Sequence, residues 1–94
     1  MKTIQELQGE ITALREEEKK HQAAIGRVSS MQNLMREIPA ETLKAVGIEY
    51  STTMDASIAR EIDKMQAGVD SLKKERKTLA TAMGMLKKAE RILG

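Results

Sequence analysis

A chain of 94 residues with no Phe, no Trp and one Tyr is too short for more than one domain (residues 1–94) and too poor in aromatic side chains for an ordinary compact core. Charged residues make up 32% of the chain and only one Pro interrupts it, which is typical of long helices. The net charge of +2 does not by itself indicate a polyanionic partner, and the absence of cysteine excludes a disulfide scaffold.

The first predicted element is a helix over about residues 3–38. Its apolar residues recur at alternating steps of three and four, as at the a and d positions of a heptad repeat. They are Ile4, Leu7, Ile11, Leu14, Ile25 and Val28. Glu18 and His21 occupy the same stripe, so the helix is predicted to carry one polar layer near its middle. After this stripe the predicted spacing slips to Met31, Met35 and Ile38.

The connector, residues 39–53, is predicted to contain a short helix. Pro39 ends the first long helix and can open the short one, and Gly47 can close it in a left-handed conformation. Leu43 and Ile48 then take the two positions whose side chains meet in a Schellman motif. We therefore expect a folded cap and not a flexible linker.

The second long helix is predicted over about residues 54–93, with Thr52 or Thr53 as its N-cap and Asp55 in its first turn. Eleven positions follow each other at steps of four and three without a break. They are Ile58, Ile62, Met65, Val69, Leu72, Arg76, Leu79, Met83, Leu86, Glu90 and Leu93. Five heptads of agreement make this the clearest helical pattern in the chain.

The short connector predicts that the two long helices pack as an antiparallel hairpin. A register that pairs Ile4 with Leu93 brings Glu18, His21 and Arg76 to one level of the seam. The predicted fold class is all-α: an antiparallel coiled-coil hairpin with a short connecting helix.

A single hairpin has only one seam to bury, so a further helical surface is expected to cover it. Small or apolar residues flank the seam and widen its apolar stripe. With the methionines that lie off the seam, they form the candidate partner or oligomer surface: Ala24, Met31, Met54, Gly68, Ala82, Met85 and Ala89. We expect a homodimer or higher oligomer, with a dimeric four-helix bundle as the assembly.

Glu18, His21 and Arg76 also allow a catalytic interpretation, because histidine is the usual general base and a carboxylate can orient it. The chain has no second histidine and no cysteine, and no nucleophile lies beside His21. A polar layer that fixes the register and the oligomeric state explains the same three residues. The sequence therefore predicts no enzyme, and no catalytic, cofactor or metal site.

Residues 71–94 carry seven basic and two acidic side chains. The candidate basic patch consists of Lys73, Lys74, Lys77, Lys87, Lys88 and Arg91. Phosphates are drawn to such a surface, but the chain has no aromatic platform on which bases could stack. A solvated helix face is the favoured interpretation, and nucleic-acid binding stays an alternative.

The stretch from Leu43 to Ile58 has a second nucleic-acid pattern, that of a helix-turn-helix. Thr53 stands where that motif needs an apolar anchor, and the following helix continues into five heptads. A capped turn is therefore the favoured interpretation here.

The heptads Ile4–Val28 and Ile58–Leu93, joined by a capped turn, resemble the small helical accessory proteins of phages and prophages, which include antirepressors and inhibitors of host nucleases. This resemblance implies a protein that sequesters or blocks a DNA-binding or DNA-processing partner. The predicted function is a non-catalytic protein–protein interaction module, and a purely structural coiled-coil element is a further alternative. No segment approaches the roughly 20 apolar residues of a membrane span, so we expect no membrane partner and a location in the cytoplasm of a bacterium or a phage-infected host cell.

Overall fold

The computed structural model describes residues 2–94, and every regular element in this part of the chain is a helix. Helix α1 spans Ile4–Glu37, α2 spans Ala40–Ala45 and α3 spans Thr52–Leu93. The all-α prediction is confirmed, and the short helix lies inside the predicted connector.

Helices α1 and α3 pack against each other in an elongated body with extents of 72 × 18 × 17 Å. Glu18, in the first half of α1, contacts Arg76 in the second half of α3. Arg36, in the last turn of α1, contacts Asp55 in the first turn of α3. The two helices therefore run antiparallel, with the connector at one end (the loop end) and both chain termini at the other (the open end).

The N-cap of α3 lies one or two residues before the predicted Thr52 or Thr53. Ser51 has an extended backbone with ψ 165°, and its hydroxyl accepts a hydrogen bond of 3.1 Å from the Met54 amide. Thr52 is already helical, so its side chain cannot take the capping position. The sequence offers three consecutive hydroxyl residues, and only the backbone conformation selects among them.

Helix α2 ends in the predicted Schellman motif. Gly47 has φ 80° and donates its amide to the Lys44 carbonyl at 3.1 Å, while the Ile48 amide donates to the Leu43 carbonyl at 2.8 Å. Leu43, the one long apolar side chain of α2, is buried and lines a cavity with Ile48 and Tyr50 of the connector. Pro39 precedes the first helical residue of α2 as its N-cap, which fits the predicted role of opening this helix.

The core of the hairpin is thin. Among residues 2–94 the buried apolar side chains are Leu7, Ile11, Leu43 and Val69. The other apolar residues of the seam, apart from the exposed Leu93 at the end of α3, are half-buried, because a single partner helix covers only one side of each. A hairpin of this kind leaves much of its apolar surface in contact with water.

The register differs from the predicted one by about one helical turn. Leu93 is 88% exposed and does not pair with Ile4, because α3 has 42 residues against 34 in α1 and extends past the start of its partner. Leu86, which the predicted register places near Ile11, lines a groove with Leu7. A heptad stripe looks the same after a shift of one turn, so the apolar pattern alone does not distinguish these two registers.

Candidate functional site

Glu18 and Arg76 meet across the seam. Arg76 Nε donates to Glu18 Oε2 at 2.6 Å and Nη2 donates to Oε1 at 3.2 Å, so the pairing uses both carboxylate oxygens. The side chains are 10% and 24% exposed. The hydrogen bonds from Arg76 hold the pKa of Glu18 below its usual value, and the pair is therefore ionised at neutral pH. This geometry suits a register-fixing polar layer.

His21 is not part of this layer, which corrects the sequence interpretation. Its side chain is 48% exposed, and its Nε2 lies 3.6 Å from Glu17 Oε2 on the surface of α1. Glu18 pairs with Arg76 across the seam, whereas the imidazole of His21 stays in contact with water. Within residues 2–94, no group of three or more His, Cys, Asp or Glu side chains could hold a metal ion.

Gln32 forms a second polar layer that the sequence interpretation missed. It is 6% exposed, and its amide donates to the Asp55 carbonyl at 3.2 Å and to the Asp55 carboxylate at 3.4 Å. Met31 is exposed, as its place on the predicted partner surface requires, and the stripe does not slip to it after Val28. The signal was present, because Gln32 follows Ile25 and Val28 at the regular steps of three and four. A polar residue can occupy a buried seam position when its amide is hydrogen-bonded.

Asp55 connects three parts of the loop end. Its carboxylate accepts two hydrogen bonds of 2.8 Å from Arg36 in α1 and one of 2.5 Å from the Tyr50 hydroxyl in the connector. The hydrogen bonds from Arg36 and then from Tyr50 hold the pKa of Asp55 well below its usual range. The hydrogen bond to Asp55 also raises the pKa of Tyr50. We call Gln32, Arg36, Tyr50 and Asp55 the Asp55 cluster.

The Asp55 cluster predicts that the hairpin loses stability in acid. Because the pKa of Asp55 is depressed in the folded chain, its contribution is complete above the unfolded-state pKa of about 4 and fades as the pH falls further. Asp55→Ala should lower the free energy of unfolding at neutral pH by clearly more than Asp63→Ala, a change at an exposed position of the same helix. Urea unfolding of the wild type and of the two variants, at neutral pH and at ~pH 3, measures these free-energy differences. A difference between wild type and Asp55→Ala that does not shrink in acid would contradict the assignment.

Three residues of the predicted partner surface come together at the open end. Ala82, Met85 and Ala89 line a groove of about 570 Å³ with Leu7, Leu86 and Lys2. The small side chains of the two alanines leave the groove open, and Met85 beside them is 69% exposed. We call these six residues the open-end groove.

The other predicted surface residues lie on the same side of the hairpin. All seven occupy g or c heptad positions, which flank one side of an antiparallel seam. Met31 and Met54 are exposed near the connector, and with Leu34 and Ile38 they form what we call the loop-end surface. Ala24 and Gly68 lie between the two ends, where a Cβ added at Gly68 would meet nothing within 4 Å. The exposed apolar residues on this side of the hairpin are therefore concentrated at its two ends.

The basic patch lies partly on the opposite side of the seam. Lys73 lines a cleft of about 400 Å³ with Arg15 and Lys19 of α1, and the Glu18–Arg76 pair forms part of the same cleft. The remaining basic residues of the patch are exposed along α3: Lys74, Lys77, Lys87, Lys88 and Arg91. The two cations from α1 were not predicted, because they come from an acidic stretch of sequence and reach Lys73 only through the hairpin.

Known proteins do not assign a function to this arrangement. The chain matches no protein-family model, no curated protein and no solved structure. The resemblance to phage and prophage accessory proteins therefore stays a prediction. Within residues 2–94, each helix is too short or too polar to cross a membrane.

Proposed function

We propose that this chain is a non-catalytic protein–protein interaction module that binds through the apolar side of its hairpin. The observation that carries the proposal is the open-end groove, where Met85 is 69% exposed beside Ala82 and Ala89. Burying apolar surface contributes about 25 cal/mol per Å², so a partner that covers this groove gains affinity directly.

The shape of the groove favours an amphipathic helix as the ligand. The two alanines allow a helix to approach closely, and Met85 has a flexible side chain that adapts to the partner. Ile92 and Leu93 are exposed just beyond the groove and extend its apolar surface toward the end of α3. A helical segment with apolar residues at steps of three and four would fit along this surface.

The proposal includes a homodimer that forms a four-helix bundle, because the hairpin buries so few apolar residues by itself. It also includes the inhibitory role implied by the resemblance to phage accessory proteins. A module with no chemistry of its own inhibits by occupying the surface that its target needs. The setting in which we place this activity is the cytoplasm of a bacterium or a phage-infected cell.

Nucleic-acid binding is a second candidate function. The observation that favours it is the cleft in which Arg15, Lys19 and Lys73 come together from two helices. The affinity of phosphate contacts there would fall steeply with salt. For six to ten contacts it falls by a factor of about 10³–10⁵ over a fourfold rise in salt concentration. An apolar groove has no such dependence, so salt separates the two functions.

The proposed function predicts that Met85→Lys removes partner binding. The immobilised chain is used to capture proteins from a native host lysate, and each captured protein is then purified and its affinity is measured. We expect Met85→Lys to weaken binding at least ~10-fold, because association would desolvate the ammonium group. A tenfold loss of affinity corresponds to about 1.4 kcal/mol. Ala67→Lys, an exposed position on the outer face of α3, is the matched control and should bind as wild type does. Equal binding by all three proteins, or binding lost in moderate salt, would contradict the proposal.

A further inference from the structure

We infer that the open-end groove receives the loop-end surface of a second copy of this chain. Two hairpins would then lie side by side in antiparallel orientation, related by a twofold axis, with each groove occupied by Met31 and Leu34 of the other copy. This inference rests on the proposed function, since it names the occupant of the same surface. A target protein would then compete with the second copy for the groove.

The distribution of exposed apolar residues supports a partner that covers both ends at once. In the part of the chain that the structure describes, the large exposed apolar residues are Met31, Leu34, Ile38, Val46, Ile48, Met54, Met85, Ile92 and Leu93. All of them lie within residues 31–54 or 85–93, and the long middle of the hairpin has none. In a twofold antiparallel pair, the exposed apolar residues within 31–54 of one copy face those within 85–93 of the other copy.

Shape distinguishes this arrangement from a parallel one. Both ends have projecting side chains, Met85 at the open end and Met31 and Leu34 at the loop end, but the groove between the small Ala82 and Ala89 lies at the open end. Side chains of one helix pair insert into the spaces of another when projecting and small residues face each other. A parallel pair would place groove against groove and projection against projection.

Charge favours the same choice. The open-end half of the hairpin, residues 2–22 with 71–94, carries 11 basic and 7 acidic side chains. The loop-end half, residues 23–70, carries 5 basic and 7 acidic side chains. Antiparallel packing sets the more basic half of each copy beside the more acidic half of the other, which is a long-range attraction only, because Arg15, Lys19 and Lys73 lie on the side of the seam opposite the groove.

The available area is sufficient for a stable dimer. One long side of a body with extents of 72 × 18 × 17 Å offers about 1,000 Å² per copy, above the ~800 Å² per partner of a standard interface. A dimer that uses this side would cover the seam along its whole length.

The absence of cysteine makes cross-linking a direct test. Met31→Cys and Ala89→Cys variants are prepared separately, mixed, and treated with a short bis-maleimide. We expect the mixture to give a covalent dimer and neither variant alone to do so, because in an antiparallel pair residue 31 of one copy lies near residue 89 of the other. A link within one chain is excluded, because each variant carries a single cysteine. In an antiparallel pair the two copies of residue 31 lie roughly 35 Å apart along the hairpins, too far for a short cross-linker.

Ala67→Cys, on the outer face of α3, replaces Ala89→Cys in the control mixture and should give no link. Covalent dimers from Met31→Cys alone would show a parallel pair and overturn the inference. A mixture that gives no covalent dimer, with the uncoupled chain sedimenting as a monomer of 10.4 kDa, would also overturn it. The proposed function is decided separately, because capture of a target that is sensitive to Met85→Lys does not depend on self-association.

Discussion

Replacing Glu18 or Arg76 alone with Leu is expected to destabilise the hairpin, and replacing both is expected to restore most of the lost stability. The two side chains form a bidentate pair within the seam, at 10% and 24% exposure. Removing one partner leaves the other charge poorly hydrated and without its hydrogen bonds, whereas two leucines fill the same layer with apolar surface. Urea unfolding of the four proteins measures the coupling between the positions.

An exposed ion pair provides the control for this cycle. Glu16 and Lys19 approach within 3.7 Å on the outer surface of α1, with side-chain exposures of 62% and 76%. Pairs of this kind contribute little, so Glu16→Ala should change the stability far less than either single change in the seam. Additive losses in the Glu18→Leu, Arg76→Leu double variant would mean that the two residues do not interact in solution.

We also expect the double variant to hold the alignment of α1 with α3 less strictly than the wild type does. With the polar layer gone, the remaining apolar stripe no longer penalises a shift of one helical turn. A disulfide engineered by Leu14→Cys and Leu79→Cys reports on the alignment of the two helices, because Leu14 and Leu79 line one cleft in the present register. It should form readily in the wild-type background and less completely in the double variant. Complete formation in both backgrounds would show that the apolar residues and the Asp55 cluster hold the register without Glu18 and Arg76.

Ala82→Glu is expected to dissociate the proposed dimer while leaving the hairpin folded. Association would remove the new carboxylate from water beside Leu7 and Leu86, and Lys2 in the same groove is already paired with Glu10, so we expect self-association to weaken at least ~10-fold. In the separate hairpin the same side chain can point into water. Ala24→Glu, on the same side of the hairpin, should act in the same direction.

Sedimentation equilibrium measures the dissociation, and circular dichroism measures the helix content of the same samples. Ala67→Glu is the matched control, since it makes the same change at an exposed position on the outer face of α3. Equal weakening by Ala67→Glu would assign the effect to net charge and not to the groove. Parallel loss of helix content with dissociation would show instead that the hairpin does not fold alone.

The features that the sequence determines by itself are those set by neighbours along the chain. The positions of the two long helices follow from heptad spacing that each helix satisfies without its partner. The end of α2 at Gly47 and the adjacent contact between Leu43 and Ile48 depend on a few consecutive residues. The pairing of Glu18 with Arg76 was also predictable, since these are the charged residues near the middle of the two stripes.

The features that only the tertiary structure decided are those that depend on the opposite helix. His21 and Gln32 are both polar residues at seam positions, yet Gln32 is buried because Asp55 lies across from it, and His21 is exposed beside Glu17 on the surface of α1. The register was ambiguous by one turn for the same reason: a heptad stripe repeats, and the hydrogen-bonded pairs across the seam select one of its equivalent positions. The open-end groove and the basic cleft likewise combine residues from α1 and α3, so their shapes exist only once the register is chosen.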